Sequence, residues 1–202
     1  MQFWIVTGGA GSGKSLFCEV VKRLNAEVEV FSSDELVRKK LEDTTFAPQI
    51  GELFGPEVIQ GDGKIDRPRL RDLVFEDSAA REKLEALLHP EVFRQMESDR
   101  EAAQNRGVNL FLAEVPLFFE SGGKVRPDRT VLVAAPVQLQ SHRITTKRGL
   151  TDQAAARIIL AQLPLERKLA LADVVVWNEG DQRLLEMQAR HLLQQLSSHH
   201  VH

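Results

Sequence analysis

The chain has 202 residues, 43% of them hydrophobic and 27% charged, which is typical of one folded globular domain and excludes a disordered chain. Its formal net charge is −3, and lysine and arginine are dispersed along the chain, so a nucleic-acid or anionic-membrane partner is not indicated. The sequence holds no apolar run long enough to cross a membrane and leads straight into a predicted strand, which favours a cytoplasmic protein without a signal peptide.

The first predicted element is a buried strand, residues 3–7, followed by a glycine-rich loop. Residues 8–15 fit the pattern G-x-x-x-x-G-K-[ST], and apolar residues then recur at helical spacing from Leu16 to Leu24. A glycine loop between a strand and a helix binds phosphates, so the sequence predicts a bound nucleoside triphosphate. GTPases, ATPases, motors and small-molecule kinases share this loop, which leaves the fate of the γ-phosphate open.

Each residue type in this loop has a physical role. Glycines let the backbone close its N–H groups around phosphate oxygens, and the N-terminus of the following helix adds partial positive charge. We expect Lys14 to reach the β- and γ-phosphates and Ser15 to offer a hydroxyl to Mg²⁺. On the same helix, the single cysteine, Cys18, is flanked by apolar residues and is predicted to be a core residue without a chemical role.

Buried-type strands alternate with helical stretches along the rest of the chain, which predicts an α/β fold with a mostly parallel sheet wrapped by helices. The expected strands are residues 3–7, 28–31, 108–115, 130–134 and 174–177, and Trp177 is expected in the core. Residues 197–202 contain three histidines and are predicted to be a solvated tail rather than a metal site.

Two connections between the strands, residues 36–107 and 136–173, are longer than a simple crossover needs and are candidate substrate elements. The first is predicted to be mostly helical, with a helix from about Arg69 to Leu88 that His89-Pro90 breaks. The second carries several basic residues and a helix that Thr151 caps. It is either a lid that closes over phosphates or a solvated amphipathic helix pair.

Several separated stretches of the sequence resemble the dephospho-CoA kinase family, and they cover nearly the whole chain in order. Residues 7–15 resemble the family's T-G-G-x-G-S-G-K-S loop, with Leu16 where threonine is usual. The further matching stretches are residues 62–70 with Val74-Phe75, residues 87–90, residues 116–120, the lid residues Arg143, Arg148, Arg157 and Gln162, and residues 172–180.

The resemblance implies a nucleoside-monophosphate-kinase-like fold in one domain, with a parallel five-stranded P-loop core, a helical CoA-binding insertion and a helical lid. The core would comprise residues 1–60, 100–139 and 167–202, the insertion about 61–99 and the lid about 140–166. The implied reaction is transfer of the ATP γ-phosphate, with Mg²⁺, to the ribose 3′-hydroxyl of dephospho-CoA, the last step of coenzyme A synthesis. ATP and dephospho-CoA are therefore the expected partners, whereas the oligomeric state does not follow from the sequence.

The same resemblance assigns residues to the expected site. ATP would be bound by Gly9, Ala10, Gly11, Ser12, Gly13, Lys14, Ser15 and Leu16, and by Asn178 and Gly180 beside the adenine. Dephospho-CoA would be bound by Thr7, Asp34, Arg38, Asp66, Arg67, His89, Pro116, Leu117, Glu120 and Arg157. Lys14, Asp34, Arg143 and Arg148 would be catalytic, and Ser15, with Glu114 acting through water, would hold the magnesium ion.

Some of these residues have structural alternatives. Glu114 is either a magnesium residue or a solvated acid at a strand end, and Glu120 lies either in the substrate region or on a helix surface. His89 either contacts the substrate or ends a helix before proline.

One position departs from the family pattern. After the second strand the family usually has D-x-D, and here the residues are Ser32-Ser33-Asp34. A serine hydroxyl is not basic enough to accept the ribose hydroxyl proton near neutral pH, and a positioned base contributes about 10²–10⁴-fold. Phosphoryl transfer depends mostly on positioning and cationic groups, so loss of this base slows the enzyme without silencing it. Because residues i and i+2 share a face in an extended segment, Asp34 is expected to take over as base.

Two other functions stay open at this point. A P-loop kinase of another small acceptor would explain Ser32 as a change of substrate. A nucleotide-binding regulator without turnover would explain Ser32 as decay, although retention of Lys14, Ser15, Asp34 and the lid arginines argues against this.

Overall fold

Five parallel strands form the sheet of the computed structural model, which describes residues 1–122 and 125–198. They are β1 (Gln2–Thr7), β2 (Val28–Ser32), β3 (Leu110–Glu114), β4 (Arg129–Ala134) and β5 (Val174–Trp177). Their order across the sheet is β2-β3-β1-β4-β5. The α/β class and the predicted strands are confirmed, with bounds that differ by at most two residues.

The helices of the described ranges are α1 (Lys14–Leu24), α2 (Ser33–Glu42), α3 (Ala47–Phe54), α4 (Arg67–Glu76), α5 (Ser78–Asn105), α6 (Val137–Arg148), α7 (Asp152–Leu160), α8 (Leu165–Leu171) and α9 (Gln182–Ser198). None of them is long and apolar enough to cross a membrane. The predicted cap of α7 is confirmed, because Thr151 Oγ1 accepts the Ala154 N–H at 3.2 Å. Residues 199–202, which carry the histidines of the predicted tail, lie outside the described residues.

The centre of the sheet is buried on both faces. β1 and β3 pair in parallel register from Gln2 with Leu110 to Val6 with Glu114, and every residue of β3 is buried. Helices α1 and α9 contribute Phe17 and Leu185 to the core cluster on one face. Continuous burial explains why these strands are unbroken apolar runs, which is typical of parallel sheets covered by helices. The rigid sheet fixes the carboxyl ends of β1 and β3, where the glycine loop and Glu114 lie.

Contacts between residues divide the chain into two compact units. One unit comprises Met1–Phe31 and the chain from Arg100 onwards, and it holds most of the sheet together with α6 and α7. The other comprises Ser32–Asp99 and is helical, with a core that includes Phe46, Ile50 and Leu70. The helical unit starts at Ser32, well before the insertion expected at about 61–99, and the division into core, insertion and lid as functional parts stays a prediction.

The predicted helix break at His89-Pro90 is wrong. Helix α5 continues from Ser78 to Asn105 with Pro90 inside it. Proline removes one backbone hydrogen bond and strains the preceding turn. Leu88, Val92 and Met96 lie one turn apart on both sides of Pro90 and are all buried, so packing of this face outweighs the lost bond.

The expectation that Trp177 lies in the core is also wrong, because Trp177 is 40% exposed. Strand β5 lies at the edge of the sheet, and successive side chains point to opposite faces, so burial of Val176 leaves Trp177 outside. The Gln188 side chain of α9 pairs with the backbone of Trp177 in both directions. Its Oε1 accepts the Trp177 N–H at 3.0 Å, and its Nε2 donates to the Trp177 carbonyl at 3.0 Å.

Candidate active site

The glycine loop connects Thr7 at the end of β1 to Lys14 at the start of α1, as the sequence pattern predicts. Gly13 has a φ of 96°, and a Cβ there would collide with the Asn178 amide. Gly11 has a φ of 74°, and a Cβ there would lie 2.6 Å from the Gln140 carbonyl oxygen. Both positions therefore need glycine for backbone conformation and for space. The loop is closed in by the start of α6 and the end of β5.

Lys14 lies along this loop and is only 8% exposed. Its Nζ donates to the carbonyls of Gly8 and Gly9, each at 3.0 Å. In the described part of the chain, the Ser12 hydroxyl is buried without a hydrogen-bond partner. The first turn of α1 also leaves N–H groups without intrahelical acceptors. An ammonium, a hydroxyl and helix N–H groups at one loop form a set of donors that suits phosphate oxygens.

Ser15 and Glu114 form a hydroxyl–carboxylate pair next to the loop. The Ser15 Oγ donates to Glu114 Oε1 at 2.7 Å. Glu114 ends β3 and is 5% exposed, which excludes the alternative of a solvated strand-end acid. These hard oxygen atoms are the kind that Mg²⁺ prefers. Among the described residues no cluster of three acidic, histidine or cysteine side chains could hold a metal alone, so a cation here would need further oxygens such as phosphates.

Cys18 lies one helical turn after Lys14 and is buried, as the sequence predicts. Burial raises the pKa of its thiol well above the ordinary value, and the negative charge of Glu114 adds to this effect. A protonated thiol in an apolar core is a weak nucleophile, which agrees with a core role.

Arg143 and Asn178 both bind the backbone carbonyls of the glycine loop. Asn178 is 4% exposed, and its Nδ2 donates to the Ser12 carbonyl at 2.7 Å. Arg143 Nη1 donates to the Gly11 and Ser12 carbonyls, both at 3.3 Å, and its Nη2 donates to the Asn178 carbonyl at 3.1 Å. Burial lowers the pKa of the Arg143 guanidinium below its ordinary value. The two side chains therefore join α6 and the end of β5 to the phosphate loop.

Thr7 at the end of β1 and the predicted substrate residues that follow β3 belong to the unit that holds most of the sheet, and their contacts lie within that unit. The hydroxyl of Thr7, which is buried, donates to the Pro116 carbonyl at 3.0 Å. Leu117 is half-buried beside it. Glu120 Oε1 accepts the Leu163 N–H at 3.0 Å and lies 2.8 Å from Lys168 Nζ, at an angle outside hydrogen-bond geometry. These contacts connect the ends of β1 and β3 to α8.

The remaining predicted residues of the lid and of the adenine site make fewer described contacts. Arg157 is exposed on α7. Arg148 is the last residue of α6, and its side chain lies outside the described part of the structure. Gly180 is exposed after β5, and a Cβ there would lie 2.6 Å from Leu184 Cδ1. Of the predicted lid arginines, Arg143 is the one whose contacts with the loop are described.

In the helical unit, Ser32 is the N-cap of α2, and its Oγ accepts the Glu35 N–H at 3.3 Å. Asp34 lies exposed in the first turn of that helix. The expectation that Ser32 and Asp34 share the face of an extended segment is therefore wrong. The cap bond starts the helix at Ser33, and helical rotation of about 100° per residue turns Asp34 away from the direction of Ser32.

The other predicted substrate residues of the helical unit serve its local structure. Asp66 caps α4, with Oδ1 accepting the Arg69 N–H at 3.1 Å. Arg67 pairs with Glu42 at 2.8 Å, and Arg38 lies 3.8 Å from the same carboxylate. His89 lies inside α5, with its ring edge-on to Phe93 at 6.4 Å between centroids. The structure brings Arg38 and Arg67 together through Glu42.

A family model described as dephospho-CoA kinase matches residues 4–183 of the chain. The chain belongs to the dephospho-CoA kinase family. The dephospho-CoA kinase of Xanthomonas axonopodis pv. citri (strain 306) is 36% identical over 190 residues, which are 93% of this chain and 92% of that relative. The dephospho-CoA kinase of Bordetella parapertussis is 39% identical over 177 residues, 87% of this chain and 80% of that relative.

Solved structures share the fold of this chain. The crystal structure of TT1252 from Thermus thermophilus is similar with a TM-score of 0.81 and 32% identity, covering 96% of this chain and 97% of that one. Dephospho-CoA kinase from Campylobacter jejuni has a TM-score of 0.71 and 25% identity, covering 98% of each chain. Shikimate kinase from Acinetobacter baumannii, at 15% identity and a TM-score of 0.57, shares the fold alone.

Two glutamines beside the loop were given no site role in the sequence analysis, which placed Gln162 in the lid and did not name Gln140. Gln162 Oε1 accepts the Ala10 N–H at 2.9 Å. Gln140 is buried, and its Nε2 donates to the Ala135 carbonyl at 2.7 Å behind the loop. Gln162 falls in a stretch that matches the lid of the family, but no spacing rule connects either glutamine to the loop.

Proposed function

We propose that the chain transfers the γ-phosphate of ATP to the ribose 3′-hydroxyl of dephospho-CoA, which gives coenzyme A and ADP. The observation that carries this proposal is the family match over residues 4–183, together with an intact phosphate loop. ATP is the donor and dephospho-CoA the acceptor. A cytoplasmic location and the lack of a nucleic-acid partner stay predictions.

The loop supplies the donor half of the site. Lys14 needs only to turn from the Gly8 and Gly9 carbonyls to reach a β- or γ-phosphate oxygen. The N–H groups at the start of α1 and the buried hydroxyl of Ser12 add neutral donors. Because the loop is braced by Arg143 and Asn178, its donors are held in place before the phosphates bind.

Mg²⁺ is the proposed cation, and Ser15 with Glu114 would hold it. Their oxygen atoms fit a hard divalent ion that takes its remaining ligands from phosphates. When bound, Mg²⁺ neutralises charge that develops on the phosphate oxygens. Glu114 is fixed by β3, so its carboxylate orients Ser15 without rearrangement of the sheet.

On the acceptor side, we assign the proton of the ribose hydroxyl to Asp34. Ser32 cannot take this role, because its hydroxyl caps α2 and has no useful basicity. Asp34 is exposed in the first helical turn and is free to meet a hydroxyl directly or through water. Arg38, Asp66, Arg67 and His89 stay the proposed dephospho-CoA contacts, and Pro116 and Leu117 stay candidates beside them.

The cations of the lid would stabilise the transferring phosphoryl group. Arg157 is exposed and available for this purpose, and Arg148 is proposed for it from its place at the end of α6. Arg143 differs, because its N–H groups already bind three loop and strand-end carbonyls. We therefore propose that Arg143 shapes the nucleotide site and that Arg148 and Arg157 carry the clamp.

A coupled assay of ADP release with ATP and Mg²⁺ tests the proposal, with dephospho-CoA, AMP, CMP and pantetheine each supplied as acceptor in a separate reaction. Turnover should depend on dephospho-CoA and should be lost in Lys14→Ala. The exposed Lys22→Ala on α1 is a matched control that should keep full activity. Turnover with another acceptor alone would contradict the proposal.

A kinase of a different small acceptor is the second candidate, and Ser32 is the observation that favours it. The assay distinguishes the two through the acceptor that gives ADP. ATP binding without turnover with any of the four acceptors would instead indicate a regulator.

A further inference from the structure

Ala10, in the middle of the glycine loop, contacts the arm formed by α6, α7 and residues 161–164. Its methyl group lies in a buried apolar cluster with Ile144 of α6 and Ala155 of α7. Its backbone N–H donates to Gln162 Oε1 at 2.9 Å. An apolar and a polar contact, made by different parts of the arm, therefore join the arm to the loop at one residue.

Glu120 fixes the backbone next to Gln162. Its Oε1 accepts the N–H of Leu163 and also lies 2.8 Å from Lys168 Nζ on α8. The Lys168 side chain is 2% exposed, so its ammonium depends on this carboxylate for charge compensation. Leu163 before Pro164 and Lys168 after it therefore both contact the same oxygen atom, Glu120 Oε1. These contacts fix the backbone beside Gln162 and direct its side chain towards Ala10.

A carboxamide suits this contact chemically. It accepts the Ala10 N–H as well as a carboxylate would, but it brings no negative charge to the loop. A carboxylate at this distance would repel a bound triphosphate, because like charges near a partly buried site are weakly screened. The neutral acceptor therefore joins arm and loop without opposing phosphate binding.

We propose that Gln162 is a positioning residue for phosphoryl transfer. It holds the arm that carries Arg148 and Arg157 against the loop, and Glu120 acts through it. This inference rests on the proposed kinase function. Without the acceptor at Gln162, the loop still binds ATP, but the cations of the arm are less well placed during transfer. Loss of the contact therefore lowers kcat more than it raises the KM for ATP.

The kinetic test compares three variants with the wild type in the dephospho-CoA assay. Gln162→Leu keeps the size of the side chain and removes the acceptor, and kcat should fall about five- to tenfold with less than about a twofold change in the KM for ATP. Gln162→Glu keeps an acceptor, so it should retain most of kcat but raise the KM for ATP through repulsion. Gln153→Leu, an exposed glutamine on α7, should match the wild type.

Hydrogen exchange of the Ala10 amide gives a readout that does not depend on turnover. The amide should exchange about two- to tenfold faster in Gln162→Leu and at the wild-type rate in Gln162→Glu and Gln153→Leu. An unchanged exchange rate or an unchanged kcat in Gln162→Leu overturns the inference. A wild-type protein without dephospho-CoA turnover overturns the proposed function instead, and the exchange rates then report on the contact alone.

Discussion

Ser15 Oγ donates a hydrogen bond of 2.7 Å to Glu114 Oε1, which joins the first turn of α1 to the end of β3. The register of β1 with β3 places Glu114 beside Val6, and the glycine loop that follows β1 brings Ser15 to the same edge of the sheet. Glu114 has little access to water. Burial of a carboxylate carries a desolvation cost, and a divalent cation at this place would stabilise the charge.

Replacement of Glu114 by glutamine tests this relationship. Glu114→Gln keeps shape but removes the charge, and we expect kcat/KM to fall about 10–100-fold, as for other residues that orient a metal ligand. The Mg²⁺ concentration for half-maximal rate should rise in parallel. Glu19→Gln, on the exposed face of α1, is the control. An unchanged Mg²⁺ dependence in Glu114→Gln would exclude a metal role.

The role of Asp34 is tested by moving the carboxylate. Asp34→Ala should lower kcat about 100-fold if this carboxylate accepts the ribose proton. Ser32→Asp in the Asp34→Ala background should restore much of the rate. Aspartate caps a helix about as well as serine, so this change leaves α2 intact. Steady-state measurements of kcat check the single and the double variant, and Glu35→Gln, in the first turn of α2 beside Asp34, is the control. Full activity of Asp34→Ala would refute the assignment.

The ion pair of Glu120 with Lys168 predicts that removing one charge lowers the free energy of unfolding more than removing both. Glu120→Gln leaves a buried ammonium uncompensated and should lower the free energy of unfolding by about 3 kcal/mol. Glu120→Gln with Lys168→Met should recover most of that loss, because no charge stays buried. Urea denaturation measures both. Glu186→Gln, which removes surface pairs with Arg23 and Arg190, should cost less than about 1 kcal/mol.

The raised pKa of Cys18 predicts a loss of stability at alkaline pH. Above the ordinary pKa of 9.0 the thiol ionises in the unfolded chain, while burial keeps it protonated in the folded chain. The folded state then binds more protons, so the free energy of unfolding falls as pH rises, by at most about 1.4 kcal/mol per pH unit.

Urea denaturation between about pH 8 and pH 10 measures this slope, before most lysines titrate. The chain has no tyrosine, so no phenol ionises in the same range. Cys18→Ala should flatten the slope over the same range. Identical slopes for the two proteins would show that the thiol makes no contribution.

Local patterns in the sequence were enough to predict the sheet and the phosphate loop. Strands of a buried parallel sheet are short apolar runs, and the loop pattern lies between β1 and α1 where its chemistry requires it. Thr151 also capped its helix as expected, since an N-cap depends only on the next three residues.

The errors have physical causes that local patterns do not contain. Pro90 normally ends helices, but burial on both sides kept α5 continuous. Trp177 is apolar, but β5 is an edge strand, which follows only from the order of the strands in the folded sheet. Ser32 caps a helix that already includes Asp34, so the spacing of an extended segment does not apply there.

Contacts of the loop with Arg143 and Gln162 could not be predicted from spacing. They join residues more than a hundred positions apart, and each depends on the placement of α6 and the α7–α8 connection in the folded unit. The sequence indicated that such residues belong to a lid, but not that they bind main-chain groups of the loop. Long-range side-chain contacts of this kind follow from tertiary packing alone.

The pairing of Gln188 with Trp177 has a consequence for self-association. An edge strand has main-chain N–H and C=O groups that a strand of another molecule can pair with. Apolar side chains nearby make such pairing more favourable. At Trp177 both main-chain groups are taken by the protein's own α9, as a neighbouring strand would take them. The Gln188 side chain therefore protects this edge strand, which is partly apolar, against addition of a strand from another molecule and so against aggregation.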